Sequence, residues 1–271
     1  MSVFKRLRTT LATYVPGLGA AESDDGLDPP PGDDDVYRRF GNKSIGVWCP
    51  DLGMARLLRT RGKQLRTMGV SIDGSVCLFG EEALYLCERA LLVLLPSEDA
   101  AEPLHAREVY GVCVAGAPAA PAGEAPAAAP AGAAPPPAAA APRHAPCPLH
   151  CYWVYAHLRS LGYASFRRHA QARADGGDAE APALWRAGDA GPPPVAWEVH
   201  QPSAQFSKRR LPPPSFLVFV ALYGGALPPV ADVSALIAAC APAAVKAAVV
   251  AGDGTVLIFE MKAGVPDADA Q

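Results

Sequence analysis

Arg56, Arg59, Arg61, Lys63 and Arg66 crowd one short stretch, and no acid follows them before Asp73. Cations at that density suit phosphate, because each can neutralise one backbone charge and release its counterions. Two smaller clusters repeat the pattern at Arg167-Arg168 and Lys208-Arg209-Arg210. No aromatic residues interleave with the cations, so a nucleic-acid contact would sense backbone and shape rather than bases. The alternative is a solvated basic face. Cys147, His150 and Cys151 are three metal-ligand types in one run, but zinc needs a fourth ligand and paired Cys spacing, so neither a metal nor any other cofactor is assigned. His157 and His200 fall inside expected elements and read as structural histidines. Gly62, Gly69 and Gly74 match no phosphate-loop pattern.

The elements that must hold these groups change character near Gly74. Upstream, the glycines punctuate short strands and tight turns. Downstream, Glu81 and Glu82 stand where first-turn acids favour a helix dipole, and Ala83, Leu84, Leu86, Cys87, Ala90 and Leu91 recur at helical spacing. Leu149 to Arg168 puts Cys151, Tyr155, Leu158 and Leu161 on one helical face, ends the helix at Gly162 and starts a strand at Tyr163. Val195 to His200 and Phe216 to Tyr223 read as strands, and Val230 to Cys240 as an apolar helix. Val245 to Ala251 and Thr255 to Met261 form a closing hairpin across Gly252, Asp253 and Gly254. The predicted class is α/β (α+β): a small N-terminal αβ domain, then a mixed sheet with flanking helices.

Composition bounds the rest. A net charge of −3 excludes a globally basic nucleic-acid binder, leaving only local patches. Seven scattered cysteines suit reduced thiols in a cytosolic or nuclear protein. The apolar run Ala90 to Pro96 is far short of the ~20 residues that span a bilayer, so no membrane insertion is expected. The acids and prolines of 22–35 cannot pack and predict disorder. Met1 to Ala20 is a basic start, read as floppy, with a mitochondrial presequence as the alternative. Domain boundaries follow: a tail at 1–35, a first domain at 36–114, an Ala/Pro-rich linker at 115–148, a second domain at 149–262 and a tail at 263–271. Gln171 to Pro194 reads as a surface loop in which Trp185 has no assigned dock.

Trp48, Gly62-Lys63, Met68-Gly69, Gly74, Leu78, Glu81-Glu82-Ala83-Leu84-Tyr85-Leu86 and Glu88-Arg89 stand in one order. That order resembles the N-terminal domain of the non-catalytic "Sen fifty-four" subunit of the eukaryotic tRNA-splicing endonuclease. Gly80 replaces the family's Pro and Ala90 its Gly; the helix and its entry turn are expected to survive both. Tyr152, Val154, Tyr155, Leu158, Gly162 and Tyr163 are similar to the element that opens the family's restriction-endonuclease-like C-terminal domain. The Ala/Pro tract stands where the family has a brief joint, so it resembles an insertion. The resemblance implies a structural subunit that pairs with a catalytic one. Two such pairs form a heterotetramer that excises introns from pre-tRNA and leaves a cyclic phosphate and a 5′-hydroxyl. It also implies a nuclear location, with the cytoplasm or the mitochondrial outer surface as alternatives.

By the same resemblance, catalysis needs no metal and uses a Tyr, a His and a Lys. The Tyr position falls on Gly191-Pro192-Pro193-Pro194 and the His position on Pro212-Pro213-Pro214-Ser215, so acid and base are absent. Lys246 falls near the Lys position, but a lone Lys cannot run acid–base catalysis, and the plain reading is an exposed strand-end residue. RNA contacts are expected from Arg59, Arg61, Lys63, Arg66, Arg167 and Arg168. The last strand, through Val256, Ile258 and Phe259, is implied to pair subunits. The loop Gly252, Asp253 and Gly254 is implied to reach the opposite heterodimer. The rivals are an active RNA endonuclease using Lys246 and a free-standing RNA- or protein-binding adaptor.

Overall fold

The computed structural model describes residues 40–100, 102–115, 142–168, 181–203, 206–208 and 210–262, all within one compact unit, Asp35–Gln271. The expectations for 1–35, most of the Ala/Pro tract, Gln171 to Glu180 and 263–271 lie outside the described residues.

The first sheet comprises β1 (Ser44–Cys49), β2 (Met54–Arg59), β3 (Val70–Ile72), β4 (Ser75–Phe79) and β5 (Leu92–Leu95), ordered β3-β4-β2-β1-β5. Its basic half is the expected run of short strands and turns, with a 3₁₀ turn at Gln64–Arg66. Pairing is antiparallel except between β1 and β5. The period-two pattern of β1 serves both faces: Ile45 and Val47 pack with Leu95, while Trp48 turns to the main core. Between β4 and β5 runs helix α1 (Gly80–Glu88). A short helix α2 (Ala106–Tyr110) follows, its start fixed by the Glu108 carboxylate accepting from the His105 N–H at 2.7 Å.

The second sheet is fed by α3 (Leu149–Ser160) and contains β6 (Ala164–Phe166), β7 (Trp197–His200), β8 (Phe216–Leu222), β9 (Ala244–Val250) and β10 (Val256–Met261). Its order is β10-β9-β8-β7-β6. Helix α4 (Val230–Cys240) is the crossover between β8 and β9, the one parallel pair of this sheet. Two mixed sheets and four α-helices among the described residues make an α+β fold.

One core serves both sheets. Tyr85 of α1 meets Tyr155 of α3 edge-on at 5.9 Å, and Tyr155 meets Trp197 of β7 at 5.3 Å. Those rings share an apolar cluster with Trp48, Leu57, Leu84, Leu158 and Val218. The two expected domains therefore bury their helices against each other.

Four local expectations are corrected. The end of the Ala/Pro tract packs: Arg143 and His144 donate to the carbonyls of Asp51 and Leu52, and Cys147 donates to Cys113 at 3.3 Å. Residues 181–194 are not a plain surface loop either. Leu184 bridges to Val220, and Trp185, 4 % exposed, fills a second core with Phe219, Leu236 and Ala247. Leu161 belongs to no buried face; it is 57 % exposed, because α3 ends at Ser160 and turns away. Ala90 and Leu91 likewise lie beyond the end of α1.

Both helix ends close in the same way. Gly162 donates to Arg159 and Tyr163 to Leu158, with Gly162 in the left-handed region at φ +88. After α1, Ala90 donates to Cys87 and Leu91 to Leu86, but here an alanine takes the left-handed position at φ +56. A Cβ there costs about 1 kcal/mol, so the departure at residue 90 strains the turn that the family closes with glycine. Gly80 has a different constraint: a Cβ would stand 2.6 Å from the Cys113 carbonyl oxygen.

Candidate functional site

The basic stretch forms one corner of the first sheet. Ser44 locks its base, donating its hydroxyl to the Arg61 carbonyl at 3.1 Å and accepting the Arg61 N–H at 2.9 Å. Arg59 is spent on structure, its Nη2 capping the carbonyls of Gly41 and Lys43 at 2.6 and 2.9 Å. Arg56 pairs with Glu98. Arg61, Lys63 and Arg66 project from the exposed turn after β2, and Lys43 joins them at the start of β1.

One expected RNA contact leaves the surface. Arg167 is 1 % exposed and paired with Glu81, and its guanidinium lies 4.4 Å from the Phe79 ring centre. It joins the two sheets and cannot face RNA, because a buried guanidinium must be paired where it lies. Arg168 beside it is half-buried. Lys208, from the third cluster, donates to the carbonyls of Met68 and Gly69, and burial pulls its pKa down. Arg209 lies outside the described residues. Sequence reasoning missed Arg89 and Arg159, which the packing of α1 on α3 brings towards the same corner: Arg159 donates to Thr67, next to Arg66, at 2.9 Å. Only the fold could signal that link.

Glu81 and Glu82 do more than complement a helix dipole. Glu82 accepts the N–H groups of Gly69 and Phe79 at 2.9 and 3.0 Å, so its carboxylate both starts α1 and ties down the turn before β3. Burial outweighs those bonds and pushes its pKa up to about 7.

Proline runs 192–194 and 212–214 lead towards β7 and β8 and present no ionisable group. Lys246 is not the exposed strand-end residue expected: it sits inside β9, opposite Val218 and Glu260, half-buried with Nζ 4.1 Å from the Phe216 ring centre. Its ammonium is therefore held by packing, with Tyr163 on the same ring at 5.3 Å. His200 is buried against Phe166 and Phe206, and burial lowers its pKa and that of half-buried His157. Cys147 and Cys151 point into the main core with thiol pKa values raised by burial, while His150 meets Trp153 edge-on at 5.3 Å.

The closing hairpin ends the second sheet with an open edge. Val256 and Ile258 are half-buried against the main core, while Leu257 and Phe259 are 47 % and 51 % exposed on the other face. Tyr223 rises beside them, 72 % exposed, and a shallow cavity of about 290 Å³ lies between Tyr223 and Leu257, over Val249 and Ala251. In the loop, Asp253 accepts the Thr255 N–H at 3.0 Å, and Gly254 passes close to Trp153. The alternation of the last strand puts Leu257 on the face of Phe259, as expected; Tyr223, which sequence reasoning missed, joins that exposed apolar face.

A two-sheet α+β protein with a basic corner at one sheet and an apolar open edge at the other is the class that this geometry defines. Residues 37–95 match the family described as "tRNA-splicing endonuclease subunit sen54 N-term", which spans the whole first sheet and α1. That match identifies residues 37–95 as similar to the N-terminal domain of a Sen54-type tRNA-splicing endonuclease subunit. No curated protein matches it.

Proposed function

We propose that this chain is the non-catalytic, structural subunit of the endonuclease, pairing with a catalytic subunit and helping to hold pre-tRNA. The observation that carries this reading is proline at both positions where the resembled family places its acid and base, Pro192 to Pro194 and Pro212 to Pro214. Proline has no proton to give or take, and Lys246 alone cannot supply both. Arg61, Lys63 and Arg66 support a contact to RNA backbone, since they are exposed and adjacent. The open edge of β10 supports subunit pairing: Leu257 and Phe259 on an edge strand with one side unpaired would otherwise invite aggregation. Assembly into a heterotetramer and work in the nucleus follow from the family reading.

Affinity purification with identification of the partners tests it. A catalytic endonuclease subunit should co-purify, and the isolated chain should leave an intron-containing pre-tRNA uncut. Cleavage by the isolated chain would establish the nuclease reading instead, and elution without any nuclease partner would favour an adaptor.

A further inference from the structure

Arg89 and Arg159 approach one aromatic ring from two parts of the fold. The Arg89 guanidinium carbon lies 4.3 Å from the Tyr85 ring centre and that of Arg159 lies 5.9 Å from it. Tyr85 is 6 % exposed and wedged against Tyr155, so the ring is a fixed platform. Arg159 is fixed as well: Nη1 donates to the Tyr163 carbonyl at 3.0 Å and Nη2 to the Thr67 hydroxyl at 2.9 Å. Its buried Nε–H has no hydrogen-bond partner among the described residues. Arg89 is exposed at the end of α1.

Two guanidinium groups around one ring repel each other, and the usual remedy is a shared carboxylate. Among the described residues neither makes an ion pair. Glu88, adjacent to Arg89, is engaged by the hydroxyls of Tyr110 and Tyr152. The negative face of Tyr85 and two neutral oxygens hold the cations instead, which leaves net positive charge for an incoming anion. Planar guanidinium groups match phosphate geometry; stacking leaves the N–H edge of exposed Arg89 to donate, while Arg159, its Nη atoms already engaged, adds fixed positive charge beside it. The same patch continues through Thr67 to Arg66 and Lys63, a spread of charge suited to a polyanion.

We infer that Arg89 and Arg159, set about Tyr85, form a clamp for a backbone phosphate of RNA where the two sheets meet. Arg159 is the fixed arm and Arg89 the exposed one. This rests on the reading of the basic corner as an RNA contact.

The full chain would be titrated with a mature, intron-less tRNA transcript by fluorescence anisotropy over a series of salt concentrations. Arg89→Gln should weaken binding roughly fivefold and lower the slope of log Kd against log salt by about one, with the thermal midpoint unchanged. Arg159→Gln should weaken binding similarly, but it also frees Thr67, so Arg89→Gln decides. The paired substitution Arg61→Gln, Lys63→Gln reports on the wider reading. If that pair weakens binding while Arg89→Gln changes neither affinity nor slope, the clamp is refuted and the RNA contact stands. If none of the variants weakens binding, the RNA contact fails and the clamp with it.

Discussion

Arg167 donates to both carboxylate oxygens of Glu81, at 2.8 and 2.7 Å, and neither side chain is more than 1 % exposed. The two residues stand 86 positions apart, Glu81 in the first turn of α1 and Arg167 just after β6. The pair is the polar bolt between the two sheets, and Arg167 is further held by the Ala145 carbonyl at 3.0 Å.

Removing one partner strands a buried charge. Arg167→Met and Glu81→Gln should each destabilise by about 3–5 kcal/mol, read from denaturant midpoints. The double substitution Glu81→Leu, Arg167→Met should recover part of that loss, because no unpaired charge then remains. Equal losses in single and double variants would mean that the pair contributes through packing alone.

The ends of α1 predict opposite responses to restoring the family residues. Ala90→Gly should stabilise by about 1 kcal/mol, since φ +56 then carries no Cβ strain. Gly80→Pro should destabilise by about 1–3 kcal/mol, because its Cβ would meet the Cys113 carbonyl. Thermal melts of the two variants beside the parent check both signs; a stabilising Gly80→Pro would show that the segment around Cys113 yields freely.

Glu82 predicts a pH signature. Its carboxyl rises from an ordinary 4.5 to about 7 because it is desolvated. Between those values the folded chain holds a proton that the unfolded chain has released. This group's contribution therefore falls as pH rises from 4.5 to about 7 and stays low above, by roughly 3 kcal/mol in all. Glu82→Gln should flatten that part of the profile. Unfolding at pH 5 and pH 8 would be compared in both proteins, and identical slopes would remove Glu82 as the cause.

Lys246→Ala should leave the cleavage rate of the assembled complex unchanged within error. Its ammonium lies against the Phe216 ring, so the expected loss is roughly 0.5–1 kcal/mol of stability rather than activity. A hundredfold or greater fall at either splice site would show that Lys246 works chemically.

The last strand separates assembly from folding. Phe259→Asp should abolish pairing with the catalytic subunit while the chain stays folded, because Phe259 faces away from its own core. Ile258→Asp should unfold the second sheet, since Ile258 packs inward. Asp253→Lys should leave the heterodimer intact and weaken its union with the second one. Co-expression and size-exclusion chromatography distinguish these; intact tetramers from both Phe259→Asp and Asp253→Lys would dismiss the interface.

Local order along the chain fixed most elements before any contact was known. The change from glycine-punctuated strands to the 3.6-residue period of α1, the Gly162 stop and the apolar run 230–240 all appear where expected, because caps and periodicity act within a few residues. The basic turn at Arg61, Lys63 and Arg66 was legible for the same reason. Tertiary structure alone decided which charges stay outside. Arg167 and Lys208 look no different in sequence from Arg61, yet a long-range partner buries Arg167 at Glu81 and others hold half-buried Lys208 at the turn of Met68 and Gly69. It also drew Trp185 into the core, set Phe259 outward and Ile258 inward, and brought Arg159 to Thr67. Burial and charge pairing depend on segments distant in sequence, and no local pattern encodes which of several like residues meets a partner.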